Sequence, residues 1–165
     1  MFNKKILIIA IIIILVIVTC VVSKIVLSPD KISSFEVNSS SLADKMLIAS
    51  QGTDFKTSLV DNIISKFEQK NYYIKVLDIS ELGSENSSNY DKVLILATCI
   101  GRNIPGTVKK YIKNNNDNNQ VVLVVTSGSN WKPSLKADTI TAASKIEDID
   151  NKVNQILNIF KSCSN

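Results

Sequence analysis

The sequence predicts an α/β domain with a parallel sheet, preceded by an N-terminal apolar segment and a polar tether. Short, nearly continuous apolar runs recur along the chain, as expected for strands that are buried on both faces of a parallel sheet. Amphipathic stretches, with apolar residues three and four positions apart, separate several of these runs and indicate βαβ units. One further stretch, near the N-terminus, has the length and uniform apolarity of a membrane span.

The N-terminal segment, residues 1–27, is predicted to be a transmembrane anchor. No residue from Ile6 to Val22 is charged, and at about 1.5 Å of rise per residue this run forms roughly 25 Å of helix. A cleaved signal peptide is less favoured, because its apolar region is usually about 7 to 15 residues long and a small-x-small cleavage site is missing here. Cys20 leaves a lipoprotein site open, although Thr19 precedes it where Gly, Ala or Ser is usual.

The charges that flank this segment weakly favour one orientation. Lys4 and Lys5 lie before the span, whereas Lys24 and Lys31 lie after it. The positive-inside rule then places the N-terminus in the cytoplasm. We therefore expect a single-pass protein of the cell membrane with an extracytoplasmic domain. The formal net charge of +4 is modest and the lysines are scattered, so no nucleic-acid partner is expected.

The side chains available for chemistry are restricted. The chain has no histidine, and its three cysteines are Cys20, Cys99 and Cys163. A histidine-based triad and a zinc site are therefore excluded, and no metal is expected. A disulfide between Cys99 and Cys163 stays open. A buried thiol at Cys99 and a frayed tail over residues 163–165 are favoured.

Residues 28–44, rich in Ser, Asp and Asn, are predicted to be a flexible tether, and the domain is predicted to span residues 45–162. Strands are predicted at residues 45–50, 72–80, 90–98 and 121–128, with a weaker fifth at 137–144. Helices are predicted directly after the first strand, at residues 104–115 and at residues 147–162. The segment ELGSENSSN, between the second and third strands, is too polar and too short for a full helix. Ligands bind outside the carboxyl ends of such strands, so the loops after Ser50, Thr98 and Thr126 are the candidate binding loops.

The first of these loops, SQGTDFKT, contains the parts of an anion site. Its Ser and Thr residues supply hydroxyl groups and Gly52 allows close approach of the backbone. The helix that follows presents free N–H groups at its start. The alternative is that Thr53 or Asp54 caps the helix and satisfies those same N–H groups without a ligand.

Taken together, the three loops resemble those of the flavodoxin family, over about residues 45–160. The resemblance rests on the strand, SQGTDFKT and helix at the start, on YDKVLILATCIGRNIPGTVKKYI, and on NQVVLVVTSGSNW. It implies a three-layer sandwich with a parallel sheet of about five strands, and FMN as cofactor. The ligand residues that it implies are Ser50, Gly52, Thr53 and Thr57 for the phosphate, Thr98 and Gly101 in the first ring loop, and Ser127, Gly128 and Trp131 in the second.

Two features depart from the family's pattern. Asp54 and Phe55 occupy the end of the phosphate loop, and a carboxylate about 4 Å from a phosphate charge costs roughly 4 kcal/mol at an effective dielectric near 20. The first ring loop also lacks an aromatic residue that could stack on a flavin. Trp131 is the only aromatic residue in either ring loop, and its alternative role is a hydrophobic plug over the sheet edge.

Two functional hypotheses follow. The first is a membrane-anchored, FMN-binding protein that transfers electrons to or from a redox protein partner, in which the flavin supplies the redox chemistry and no catalytic residue is required. Such a protein is an electron carrier rather than a hydrolase or a transferase. The second is a flavin-free flavodoxin-fold module, tethered to the membrane, that binds an anion or a protein partner.

Overall fold

The computed structural model describes residues 9–19, 31–115, 121–128 and 131–162. The chain divides into two compact units, Met1–Asp30 and Lys31–Asn165. In the first unit residues 9–19 are helical, and their large apolar side chains are exposed. Within the described part of the chain, no helix combines the length and the apolarity that a membrane span requires. The rest of the predicted anchor, Cys20 and the predicted tail lie outside the described residues.

The second unit is built on a six-stranded sheet in the order β1-β3-β2-β4-β5-β6. The strands are β1 (Phe35–Val37), β2 (Lys45–Ser50), β3 (Tyr73–Asp78), β4 (Lys92–Thr98), β5 (Val121–Thr126) and β6 (Asp138–Ala142). Neighbouring strands are parallel, except that β1 pairs antiparallel with β3. Without β1, the order of the five parallel strands is that of flavodoxin-like doubly wound sheets. The chain therefore has a flavodoxin-like α/β fold.

Helices cover both faces of the sheet. They are α1 (Asp54–Glu68), α2 (Gly106–Asn114) and α3 (Ile149–Ser162). The apolar sides of α1 and α3 join one face of the sheet in a single core cluster, whereas α2 packs in a second cluster on the opposite face. The predicted three-layer arrangement follows, because each helix presents an apolar stripe that only a sheet face can cover.

The central strand β4 belongs to both clusters. Leu94 and Leu96 point toward α1 and α3, and Val93 and Ile95 point toward α2. All four are completely buried, which stabilises the fold by about 1.5–3 kcal/mol for each side chain. This two-sided burial explains why the strand appears in the sequence as an uninterrupted apolar run.

The structure corrects the predicted boundary of the domain. The segment predicted as a flexible tether contributes β1, and the compact unit starts at Lys31 rather than at residue 45. The Ser-rich sequence of this segment has no strand periodicity. The strand forms because it pairs with β3, where Glu36 lies opposite Lys75. The N–H of Ile32 also donates to Oδ2 of Asp78 over 3.3 Å. The sheet consequently has six strands instead of about five.

The connection between β3 and β4 contains two 3-10 turns, Leu82–Ser84 and Ser87–Asn89, and no α-helix, as its polar sequence predicts. Glu85 secures this connection, because it accepts hydrogen bonds from Nζ of Lys75 at 2.8 Å and from the Tyr90 hydroxyl at 2.6 Å. The missing helix leaves α2 as the one α-helix, among the described residues, on its face of the sheet.

Candidate functional site

A cavity of about 500 Å³ lies at the carboxyl ends of β2, β4 and β5. From β2 the sheet continues through β3 on one side, and from β4 it continues through β5 on the other. The cavity is therefore at the topological switch point, where doubly wound sheets bind their ligands. Its lining residues come from the N-cap and first turn of α1, from the ends of β4 and β5 and the residues after them, and from the segment after β6: Thr53, Asp54, Phe55, Lys56, Thr98, Cys99, Thr126, Ser127, Gly128, Ala143 and Ser144. We call this cavity the switch-point pocket.

Lys56, in the first turn of α1, is the most unusual residue of the switch-point pocket. Only 1 % of its surface is exposed. Its Nζ donates to Oγ1 of Thr98 at 2.7 Å and to Oγ1 of Thr53 at 3.2 Å. No carboxylate forms an ion pair with it among the described residues. Burial lowers the pKa of Lys56 from its ordinary 10.5 to about 8.

The position of Lys56 follows from the geometry of α1. Leu59, Val60 and Ile63 form the buried stripe of this helix, and Lys56 precedes them by three, four and seven positions. It therefore lies on the buried face of the helix, where a residue that only interacts with solvent is not expected. Because it lies in the first turn, its side chain reaches the pocket at the amino end of the helix.

The start of α1 is not capped by its N-cap side chain. Thr53 has the extended backbone of an N-cap residue, with φ −83° and ψ 148°, but its side chain makes no capping hydrogen bond. Its hydroxyl instead accepts from Lys56. Asp54 is exposed in the first helical turn. The amide groups of this turn therefore keep the capacity to bind an anion.

A buried glutamine joins the first binding loop to β4. Gln51 is 6 % exposed, and its Oε1 accepts a 2.7 Å hydrogen bond from the backbone N–H of Thr98. The Oγ1 of Thr126 donates to that of Thr98 over 3.4 Å, and the N–H of Cys99 donates to the carbonyl of Thr126. Thr98 is thus held by the first binding loop and by β5, and its hydroxyl accepts from Lys56.

The loop after β4 turns sharply beside the pocket. Ile100 and Asn103 exchange backbone hydrogen bonds of 2.9 and 3.0 Å around Gly101 and Arg102. Both central residues have positive φ values, 58° and 61°, as in a type I′ turn. Gly101 is therefore at the tip of a turn and not in the pocket lining, and Ile100 is 60 % exposed.

The structure brings together four of the residues that the resemblance implies. Thr53, Thr98, Ser127 and Gly128 line the switch-point pocket, whereas five others do not: Ser50, Gly52, Thr57, Gly101 and Trp131. Ser50 is fully buried and its hydroxyl donates to the carbonyl of Gln51.

The aromatic residues of the loops are committed to packing. Phe55 is 3 % exposed and belongs to the core cluster of α1 and α3. Trp131 packs, with Leu135 and Ala137, against the cluster on the face of α2. A packed Trp131 matches the alternative role of a hydrophobic plug.

A second cavity, of about 330 Å³, shares Ser127, Gly128 and Ala143 with the switch-point pocket. Asp148 and Lys152, at the start of the last helical region, line it as well. Because Ser127 and Gly128 line both cavities, the loop after β5 is a wall that the two cavities share. A ligand longer than the switch-point pocket has room to extend toward α3.

Sequence reasoning missed Lys56 and Gln51. A signal for Lys56 was present, because a lysine at a core position of an amphipathic helix next to a binding loop is uncommon. Gln51 gave no such signal, because its partner is the backbone of Thr98 on another strand.

No protein-family model matches this chain, and a search of curated proteins finds no match. Among solved structures, the chain is similar to flavodoxin 2 from Bacillus cereus, with 13 % identity, a TM-score of 0.46 and coverage of 72 % of this chain and 98 % of that one. General stress protein 14 from Treponema denticola, solved in complex with FMN, has 7 % identity, a TM-score of 0.42 and coverage of 72 % and 98 %. The lysine decarboxylase LdcF of Francisella novicida has 15 % identity and a TM-score of 0.45; the similarity covers 75 % of this chain but only 18 % of the decarboxylase. The fold class stated above depends on the strand order and the layers.

Proposed function

We propose that the switch-point pocket binds FMN and that the chain is a membrane-anchored flavin protein that exchanges electrons with a redox protein partner. The observation that carries the proposal is the pocket itself: about 500 Å³ at the switch point, beside a helix start whose N-cap side chain leaves the first amides uncapped. Its volume lies within the range of small-molecule and cofactor sites.

The residues present fit the phosphate end of FMN better than its ring. The hydroxyls of Thr53 and Thr98 and the amino group of Lys56 are donors that suit an anion. Asp54 opposes an anion, but it is exposed at the rim, where solvent screens its charge.

The ring would be held mainly by small side chains and backbone. Ser127, Gly128 and Cys99 line the pocket, and the one aromatic residue in its lining, Phe55, is 3 % exposed. When bound, FMN supplies one-electron and two-electron chemistry, and the chain's own residues bind it, orient it and set its electrostatic surroundings.

The proposal is tested by titrating the Lys31–Asn165 unit with FMN and following the fluorescence of FMN and of Trp131. We expect saturable quenching. Thr98→Val removes a hydroxyl from the pocket, at a cost of about 1 kcal/mol or roughly fivefold in Kd. The matched control is Thr139→Val on β6, whose hydroxyl bonds to the carbonyl of Ala137 away from the pocket, and which should bind like the unmodified unit. Absence of binding at about 100 μM FMN, in a unit shown to be folded, would refute flavin binding.

A second candidate function is a flavin-free module that binds a smaller anion. The observation in its favour is that Trp131 packs on the α2 face and does not line the pocket. Inorganic phosphate distinguishes the two candidates. A flavin-free module would bind phosphate in the same titration without binding FMN.

The membrane anchor is part of the proposal. We propose that residues 1–27 hold the protein in the cell membrane as a single span, with the domain on the extracytoplasmic side. The uncharged run from Ile6 to Val22 supports the span, and the lysines around it support the orientation. In that location, an electron-transfer partner would also be a membrane or extracytoplasmic protein.

A further inference from the structure

The geometry points to Lys56 as the residue that receives the phosphate group of the ligand in the switch-point pocket. The inference deepens the proposed function where the ligand is FMN. It also assigns a ligand chemistry, a phosphate monoester or free phosphate, that does not depend on the flavin. The ligand residues implied by the sequence resemblance do not include this lysine.

The first step of the argument is the missing counter-charge. Lys56 is 1 % exposed, and its two hydrogen-bond partners are the uncharged hydroxyls of Thr53 and Thr98. The transfer of an ammonium group out of water is strongly unfavourable unless an opposite charge compensates it. Within the described residues Lys56 has no carboxylate in ion-pair contact. A bound anion would provide the compensation that the protein does not.

The second step of the argument is where the amino group of Lys56 is held. An ammonium group has three N–H donors, and two of those of Lys56 are used by hydroxyls that line the same pocket. These two bonds fix the amino group between the start of α1 and the end of β4. The first residues of α1, Asp54 and Phe55, line the same pocket, so the lysine and the helix start favour the same kind of anionic group.

The third step concerns the other ionisable groups of the pocket, Asp54 and Cys99. Asp54 lies two residues before Lys56, but it is exposed and forms no ion pair with it. Cys99 is half-buried and, among the described residues, a free thiol. Neither of them neutralises the lysine. In a purely structural role, in which Lys56 only bridges Thr53 and Thr98, the preference for a ligand with a phosphate would not depend on Lys56.

The test compares FMN with riboflavin, which has the same ring and ribityl chain but no phosphate. The full chain in detergent micelles is titrated with both, as the unmodified protein and as Lys56→Met. We expect the unmodified protein to bind FMN at least tenfold more tightly than riboflavin. Lys56→Met should lose most of this preference while its riboflavin affinity changes less than twofold. A preference that survives the substitution would overturn the inference.

The matched control is Lys66→Met, which removes an exposed lysine from the last turn of the same helix. It should leave both affinities unchanged, and thereby exclude a general effect of net charge. Lys56→Met must also show the cooperative thermal unfolding of a folded protein, since a buried ammonium is replaced by an apolar side chain of similar length.

A second measurement separates failure of this inference from failure of flavin binding. In protein with ¹³C-labelled lysine, the Cε signal of Lys56 is identified by its absence from the spectrum of Lys56→Met. If neither flavin binds, the proposed function fails, and inorganic phosphate is added instead. A saturable shift of the Lys56 signal, absent with chloride at equal ionic strength, would support the inference. If the Lys56 signal does not shift with phosphate in 20-fold excess over protein, at phosphate concentrations of up to about 50 mM, the inference is overturned.

Discussion

Lys56 shows how one residue connects the stability of the fold to the chemistry of the pocket. Its side chain occupies a core position of α1, where an apolar residue would stabilise the helix against the sheet. The chain carries a charged group there, at the edge of a cavity. Sites that bind charged ligands commonly contain residues that destabilise the unliganded protein.

We predict that Lys56→Met raises the free energy of unfolding at pH 7 by about 1–3 kcal/mol. Burial lowers the pKa of Lys56 in the folded state from 10.5 to about 8. Below pH 8 lysine is protonated in both states, so the folded protein then bears the full free-energy cost of burying a charged amine. Between pH 8 and 10.5 the unfolded state binds more protons, and the unmodified protein gains stability as the pH rises. The advantage of Lys56→Met should therefore shrink over this range.

Urea unfolding at several pH values between 7 and 10.5 measures this effect. The same series for Lys66→Met, at an exposed position of α1, controls for the titration of surface lysines. A difference between Lys56→Met and the unmodified protein that stays constant with pH would contradict a buried, titrating amine.

Gln51 makes a second prediction at the residue scale. Its Oε1 accepts from the backbone N–H of Thr98 in a buried position. Gln51→Leu leaves that N–H without an acceptor, and the expected loss of stability is about 1–3 kcal/mol. Gln155→Leu is the control, because Gln155 is half-buried on α3 and its Nε2 donates to the nearby, exposed Asn151; it should change stability by less than about 0.5 kcal/mol. Equal midpoints of the two variants in urea would contradict this role for Gln51.

At the scale of elements, β1 protects an edge of the sheet. It is three residues long and pairs antiparallel with β3, whose side chains Ile74 and Val76 are fully buried. Short edge strands of this kind shield longer apolar strands from pairing with other molecules. Asp78, at the end of β3, also accepts the N–H of Ile32, which ties the entering chain to the sheet.

We predict that removing residues 1–44, and with them β1, lowers the free energy of unfolding by about 1–3 kcal/mol and promotes self-association through the exposed edge of β3. The Lys31–Asn165 unit is the comparison, because it keeps β1. Urea unfolding measures the stability, and sedimentation velocity at several concentrations measures the association. Two monomeric species with the same midpoint would show that β1 is dispensable.

At the scale of the whole molecule, the sequence combines a basic chain of net charge +4 with an uncharged N-terminal run. We predict that the full chain sediments with membranes and resists alkaline carbonate extraction. A chain without residues 1–30 should stay in the supernatant. The physical reason is the transfer of about 17 uncharged, mainly apolar residues into the bilayer core.

Cys20→Ala separates two kinds of attachment in the same experiment. A transmembrane helix does not need the thiol, so this variant should remain in the membrane fraction. Release of Cys20→Ala into the supernatant would contradict the helical anchor and indicate lipid attachment at that cysteine.

Much of the fold was predictable, because its signals are local. The apolar run of β4 and the alternation of strands with amphipathic helices require only the periodicity of the chain. The position of the pocket was predictable too, since parallel strands have their carboxyl ends at one edge of the sheet. Thr53, Thr98, Ser127 and Gly128 accordingly line one cavity.

The sequence by itself therefore determined the class of the fold, the order of its five parallel strands along the chain and three of the segments that line the pocket; the segment after β6, with Ala143 and Ser144, was not among them. The tertiary structure decided the rest: the pairing of β1 with β3, the packing of Trp131 on the α2 face, and the meeting of Lys56 with Thr98. These features depend on contacts between residues far apart in the chain. Periodicity reports which side of an element is buried, but it does not report which distant group an individual side chain meets there.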